Sequence, residues 1–378
     1  MMEFRLSEET KLLKDNAGRF LQDRCSSAFL RESVRGETGF STALWKEMAG
    51  LGWLGLIYEE RYGGVGGSFF DLCILFEEMG KVLLPTPFFC SAVLSGLLID
   101  EAASETVKKE LLPPMIGGER ILTLALLDEG GRCDFSDLKM EARKGGDGSF
   151  VLTGKRILVP YAHAADEILV CAQIAGPGQN GPTVFRTTGR SQGVKIVSLD
   201  TPLTGEKLFA VFYEEAPLSR DDILGVPGRG IDYIEKVLPR AIICKCAEMV
   251  GGLARVVEMT VGYVKERRQF GRPLGALQAV QHSCADMQMH LEASRLVTYQ
   301  AASLLSEGMP CEKEIAMAKA FCSDAYKKCT WSAHQIHGGI GFTEEHDLHF
   351  YYKHAKASEL AFGDARFHRG RVGEAMGL

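Results

Sequence analysis

The run Glu266-Arg267-Arg268-Gln269-Phe270-Gly271-Arg272-Pro273-Leu274 stands between two long helical patterns. It leads directly into Leu277-Gln278-Ala279-Val280-Gln281-His282 and Ala285-Asp286-Met287. Arginines close the first pattern, a Gly-Pro break follows, and a second amphipathic pattern begins at once. Two helices therefore meet at a cationic corner. Such a corner suits a diphosphate, because a guanidinium fork matches phosphate oxygens and stays charged at any working pH. The alternative is a solvated helix end that the helix dipole favours.

Outward from this corner the apolar period stays helical. It covers residues 231–266 before the break and 275–307, 312–336 and 346–370 after it. Four long antiparallel helices predict a bundle. Ahead of them the texture is β-type, with short runs at 121–127, 150–152, 156–159, 167–172, 194–197 and 208–212. Gly, Pro and Asp turns, including Gly145-Gly146-Asp147-Gly148, separate these runs and predict an antiparallel sheet domain. The first third is helical again, at 6–30, 41–51, 68–79, 88–100 and 105–113, and Ser7-Glu8-Glu9-Thr10 supplies an N-cap with early carboxylates. Gly63-Gly64-Val65-Gly66-Gly67 reads as a flexible connection. A phosphate loop there would need a Gly-Lys-Ser/Thr ending and a preceding strand. The expected fold is an α+β multidomain chain: an N-terminal helical domain (1–120), a central antiparallel β domain (121–228) and a C-terminal four-helix bundle (229–378).

Composition narrows the function. A 378-residue chain with 46% hydrophobic and 24% charged residues is that of an ordinary globular protein. A net charge of -6 argues against broad nucleic-acid binding while leaving room for a local cationic pocket. The eleven cysteines show no CxxC pairs or ligand spacing, so reduced thiols are expected, with no metal site and no disulfide framework. His334, His337, His346, His349 and His354 cluster in sequence without accompanying acidic or cysteine ligands at metal spacing. The start MMEFRLSEETKLLKD has no apolar signal-peptide core, and no stretch approaches a membrane span. A cytoplasmic location is expected.

A second motif, Gln335-Ile336-His337-Gly338-Gly339-Ile340-Gly341-Phe342, carries glycines that allow positive φ and close approach of a ligand. Alone it is a weak signal, since such turns commonly only cap helices. Together with the Arg267 run, at this separation, the chain resembles the acyl-CoA dehydrogenase family over essentially its whole length. That resemblance implies the three-part fold, an FAD cofactor, an acyl-CoA substrate and an electron-transfer flavoprotein as electron acceptor. It implies that Arg267 and Gln269 hold the pyrophosphate, and that Gln335, Ile336, His337, Gly338 and Gly339 meet the adenosine, of a flavin bound in a neighbouring subunit. It also implies an oligomer, typically a tetramer. Gln278 and Asp286 are expected to pack within the bundle.

The chain departs from the family at the flavin ring and at the base. The family's Thr-Glu-Pro-x-Ala-Gly-Ser-Asp loop is replaced by Leu127-Asp128-Glu129-Gly130-Gly131-Arg132-Cys133-Asp134, and its Trp-Ile-Thr strand aligns with Leu158-Val159-Pro160. α,β-Dehydrogenation needs a carboxylate in reach of the substrate α-proton. The family's common glutamate position holds Phe362, and its alternative position holds Ala241. Asp364 is the substitute expected to act as base; an N-cap for the last helix is its structural alternative. Glu248 lies two helical turns past Ala241, about 10 Å of rise, too far to serve unaided. Lys353 and Lys356 form a positive pair facing CoA phosphate or solvent.

Two functions follow. One is a flavin-dependent acyl-CoA dehydrogenase whose base is Asp364. The other is a non-catalytic or half-site partner in a hetero-oligomer. Phe362-Gly363-Asp364-Ala365-Arg366-Phe367-His368-Arg369 resembles the small subunits of two-subunit acyl-CoA dehydrogenases such as pimeloyl-CoA dehydrogenase. Dicarboxylic, alicyclic, aromatic-derived and sterol side-chain thioesters are all compatible with the sequence.

Overall fold

The computed structural model describes residues 6–130, 139–146, 148–175, 181–201 and 206–378. The expected positions Gly131, Arg132, Cys133, Asp134 and Asp147 lie outside them.

Serines begin most of the N-terminal helices. Ser7, Ser26, Ser41 and Ser104 each accept the backbone N–H three residues on, opening α1 (Glu8–Arg24), α2 (Ser27–Arg35), α3 (Thr42–Gly50) and α6 (Glu105–Ile116). Ser68 and Asp71 form a capping box for α4 (Phe69–Lys81). The single helix expected over 6–30 is two, because the chain leaves α1 at Cys25 and restarts at the Ser26 cap. A π-helical turn, Phe89–Ser95, runs into α5 (Gly96–Ala102). The glycine loop is pinned, contrary to the flexible connection expected. Val65, Gly66 and Gly67 donate to the carbonyls of Gly55, Tyr58 and Leu56, and a Cβ on Gly64 would collide with the Tyr58 carbonyl.

The central domain is one mixed sheet of eight strands among the described residues. These are β1 (Leu122–Ala125), β2 (Glu141–Lys144), β3 (Phe150–Pro160), β4 (Glu167–Ala175), β5 (Gly181–Thr187), β6 (Val194–Leu199), β7 (Leu208–Leu218) and β8 (Ile223–Leu224). Most pairs are antiparallel, as expected, but β1 and β2 both run parallel to β4, one at each end of it. The two runs expected at 150–152 and 156–159 are a single strand with a bulge, where Leu158 takes a positive φ of 54°.

The bundle comprises α7 (Gly230–Glu266), α8 (Gln278–Ser306), α9 (Glu312–His337) and, where one fourth helix was expected, α10 (Leu348–Leu360) and α11 (Ala365–Ala375). The break at Phe362 and Gly363, both left-handed at φ 57° and 97°, ends α10, and Asp364 restarts the chain. The N-terminal domain and bundle share one core. Within it α4 crosses α7 at Gly80 and Gly251, where an added Cβ would collide with the backbone oxygens of Glu248 and Glu77. Fully buried Glu77 is neutralised beside this crossing by Lys14 at 3.0 Å, Arg295 at 3.3 Å and the Tyr299 hydroxyl at 2.7 Å.

Candidate functional site

The cationic corner is a two-residue hairpin. β9 (Arg268–Gln269) pairs with β10 (Arg272–Pro273), and Phe270 and Gly271 turn between them with φ 53° and 77°. Two successive positive φ values match a primed turn, and this is why a glycine stands at 271. Arg267, the cap residue of α7, and Gln269 are exposed. Gln278 and Asp286, expected inside the bundle, are exposed as well.

Tyr263, one turn before Arg267, stacks on His337 with ring centroids 4.4 Å apart and planes 22° apart. The structure thereby brings the two sequence motifs together within one chain. His337 Nδ1 faces the Ala333 carbonyl at 2.8 Å, so Nδ1 carries the proton and Nε2 is a buried acceptor with no partner among the described residues. Burial lowers its pKa and keeps the ring neutral. Gln335, Gly338 and Gly339 are exposed, Ile336 is half-buried, and open space surrounds the Cα of both glycines. An exposed guanidinium, a bare glycine turn and an orphaned imidazole nitrogen suit a phosphate followed by an adenosine. The residues fit that end of a dinucleotide.

On the side where a flavin ring is expected, the described residues are committed to partners within the chain. Asp128 is ion-paired with the fully buried Arg156, and Glu129 binds Lys155 at 2.8 Å, so the loop after β1 gives both acids to β3. Leu158 sits on the bulge, and Pro160 spends its carbonyl on the Thr123 hydroxyl at 2.7 Å. At residues 158–160, neither an indole face nor a side-chain hydroxyl is offered.

Around residue 362 the turn is held from three sides. The ammonium of Lys319, fully buried, donates to the carbonyls of Gly363 at 2.9 Å and Glu359 at 3.0 Å and lies 3.1 Å from the Ser323 hydroxyl. His368 Nε2 donates to the Phe362 carbonyl at 2.9 Å. The Asp364 carboxylate accepts the Phe367 N–H at 2.8 Å as the N-cap of α11, and the backbone hydrogen bonds from Phe367 and Arg366 lower its pKa. A carboxylate stabilised as the anion is a weaker proton acceptor.

Glu248 belongs to a buried charge cluster. It lies 2.8 Å from Lys245 and 3.4 Å from His354. Burial opposes its ionisation, but those two partners outweigh burial and bring it down to about 2. Lys245 escaped the sequence reading although it lies one turn past Ala241 on the same helix face. Tyr263 and Lys319 escaped it for want of any local signal. Lys356 pairs with Glu359 at 2.9 Å, while Lys353 is exposed. Among the described residues every cysteine is free, no His, Cys, Asp and Glu group could hold a metal, and no helix is long and apolar enough to cross a membrane.

A helical domain, a central β domain and a C-terminal helical bundle, in this order, define the fold of a flavoprotein dehydrogenase class. The chain belongs to the acyl-CoA dehydrogenase family: residues 7–119 match the family's N-terminal domain model and residues 228–377 its C-terminal domain model. It is 30% identical to the short-chain specific acyl-CoA dehydrogenase of Megasphaera elsdenii, over 86% of this chain and 87% of that one. The butyryl-CoA dehydrogenase structure from Megasphaera elsdenii superposes with a TM-score of 0.92 at 26% identity, covering 99% of this chain and 100% of that one. A chain of the ChsE4-ChsE5 complex from Mycobacterium tuberculosis superposes at 0.88 with 26% identity, covering 100% and 99%.

Proposed function

We propose that this chain takes part in FAD-dependent α,β-dehydrogenation of an acyl-CoA thioester, with electrons leaving to an electron-transfer flavoprotein in the cytoplasm. The observation that supports this reading is the stack of Tyr263 on His337, which gives the Arg267 corner and the glycine turn one common surface. In this reading Arg267 and Gln269 hold the pyrophosphate, and Gln335, Ile336, His337, Gly338 and Gly339 receive the adenosine, of a flavin lodged in a neighbouring subunit. Bound there, the flavin would supply hydride acceptance. Phe270, Trp331 and Phe342 flank this surface with 86%, 73% and 73% of their area exposed, which supports its being covered by another subunit. A chain that works alone takes the α-proton on Asp364. In that case Asp364→Asn retains flavin colour and loses bleaching by substrate.

A second reading is favoured by a specific observation. The Asp364 carboxylate is committed to capping α11, and Phe362 stands where the family has its glutamate. The chain then serves as a half-site partner, resembling the small subunit of a two-subunit dehydrogenase, and the base comes from another polypeptide. Co-purification from the native host, with an absorption spectrum of the eluted complex, separates the two. A second acyl-CoA dehydrogenase subunit in the flavin-containing fraction is the outcome expected of the half-site reading. A fully flavinated homo-oligomer that oxidises an acyl-CoA excludes it.

A further inference from the structure

By the resemblance to the family, Phe362 and Ala241 stand at the two places from which a base is presented, which would put an acyl thioester beside both. Phe89, from the π-helical turn of the N-terminal domain, lies against Phe362 with ring centroids 5.9 Å apart. Lys245 holds its ammonium 4.3 Å from the centre of the Phe89 ring. The same ammonium lies 2.8 Å from Glu248 on its own helix and 3.4 Å from Glu206 in the β domain. His354 of α10 reaches the other oxygen of Glu248 at 3.4 Å. Ala241 is fully buried, and Phe89 and Lys245 are nearly so. One cation thus touches a ring from the N-terminal domain, a carboxylate from the β domain and a carboxylate from the bundle. A buried cation flanked in this way is costly to displace, because removing it strands the carboxylates, and its contact with the ring face holds the ring in place.

We propose that this chain's own acyl site is shut from within by Phe89 and Phe362, with Lys245 as the positioning residue that holds the Phe89 ring against Phe362 and ties the three domains together. The inference rests on the half-site reading and deepens it: the chain offers a nucleotide-binding surface to a neighbour and has no room for an acyl group of its own.

Calorimetric titration of the chain purified alone with CoA, butyryl-CoA and octanoyl-CoA tests this. An open acyl site gains about fourfold in affinity per methylene, or about two hundredfold from butyryl to octanoyl. The three ligands are expected to bind within about twofold of one another. The double variant Phe89→Ala with Phe362→Gly is expected to acquire length dependence, and Lys245→Met to acquire part of it as the ring is released. Length dependence in the unaltered chain overturns the proposal, as does its absence in a folded double variant. The titration of the unaltered chain decides the matter even where the double variant does not fold. Oxidation of an acyl-CoA by the chain alone overturns the half-site reading and the shut site with it, whereas length-dependent binding without oxidation overturns only the shut site, so the two failures are told apart.

Discussion

Tyr263 lies flat on His337, and its hydroxyl stands 3.4 Å from the His337 carbonyl. The ring contact joins the end of α7 to the end of α9, two segments more than seventy residues apart in the chain. Tyr263→Phe keeps the ring and forfeits only that long hydrogen bond, so ADP affinity is expected to change less than twofold. Tyr263→Ala removes the stack and is expected to weaken ADP about tenfold by separating the two motifs. Equal affinities for the Ala and Phe variants would show that the motifs do not depend on this contact.

Arg267 is exposed and its structural duty as helix cap is carried by its backbone N–H, which donates to the Tyr263 carbonyl at 2.8 Å. Arg267→Ala is therefore expected to leave the unfolding free energy within about 0.5 kcal/mol. The same change should lower ADP affinity by about tenfold or more and flatten its salt dependence. Unchanged nucleotide binding would remove Arg267 from the phosphate site.

Much of the fold is readable from local pattern, and the exceptions have physical reasons. The bundle helices show because their apolar period is long. β2 does not, because Glu141, Arg143 and Lys144 are exposed and only Ala142 is buried, leaving no alternation to detect. The parallel pairing of β1 and β2 with β4 is a non-local choice that no single segment announces. Asp364 is legible as a cap from the Gly-Asp step. The left-handed turn at Phe362 is not, since phenylalanine rarely adopts that backbone. In the site the motifs are legible, whereas the stack on His337 and the lock around Lys245 depend on which helices meet.

Gly251→Ala places a methyl group where the Glu77 carbonyl of α4 already stands. No side chain can yield there, because the obstacle is backbone. The variant is expected to lose about 3 kcal/mol in urea unfolding, against a change of a few tenths for Gly262→Ala on the same helix, where nothing lies within 4 Å. Comparable effects at the two positions would contradict the close crossing.

His368 donates Nε2–H to the Phe362 carbonyl while its Nδ1 lies buried, and burial lowers the imidazole from 6.5 to about 4. Because the folded pKa lies below the unfolded one, the unfolded chain binds the proton first. Stability is complete above about pH 6.5 and falls by up to about 3 kcal/mol as the pH drops towards 4. Glu248, held near 2 against an ordinary 4.5, adds a separate loss below pH 4.5. His368→Gln retains a donor and cannot titrate, so it should remove the first loss and leave the second. Chemical unfolding at pH 7, 5.5 and 4 reads both; an unaltered slope between 7 and 5.5 in the variant would release His368 from this role.

The crossing at Gly80 and Gly251 also restricts how the molecule can move. With a glycine on each helix the two backbones meet directly, so sliding α4 along α7 would bring a side chain against backbone that leaves no room for a Cβ. The N-terminal domain and the bundle are therefore held at a fixed distance at this point. The β domain is strung between left-handed glycines at Gly118 on one side and Gly225 and Gly228 on the other. Its displacement would part Glu206 from Lys245, Lys207 from the Val34 carbonyl and Arg186 from Glu110.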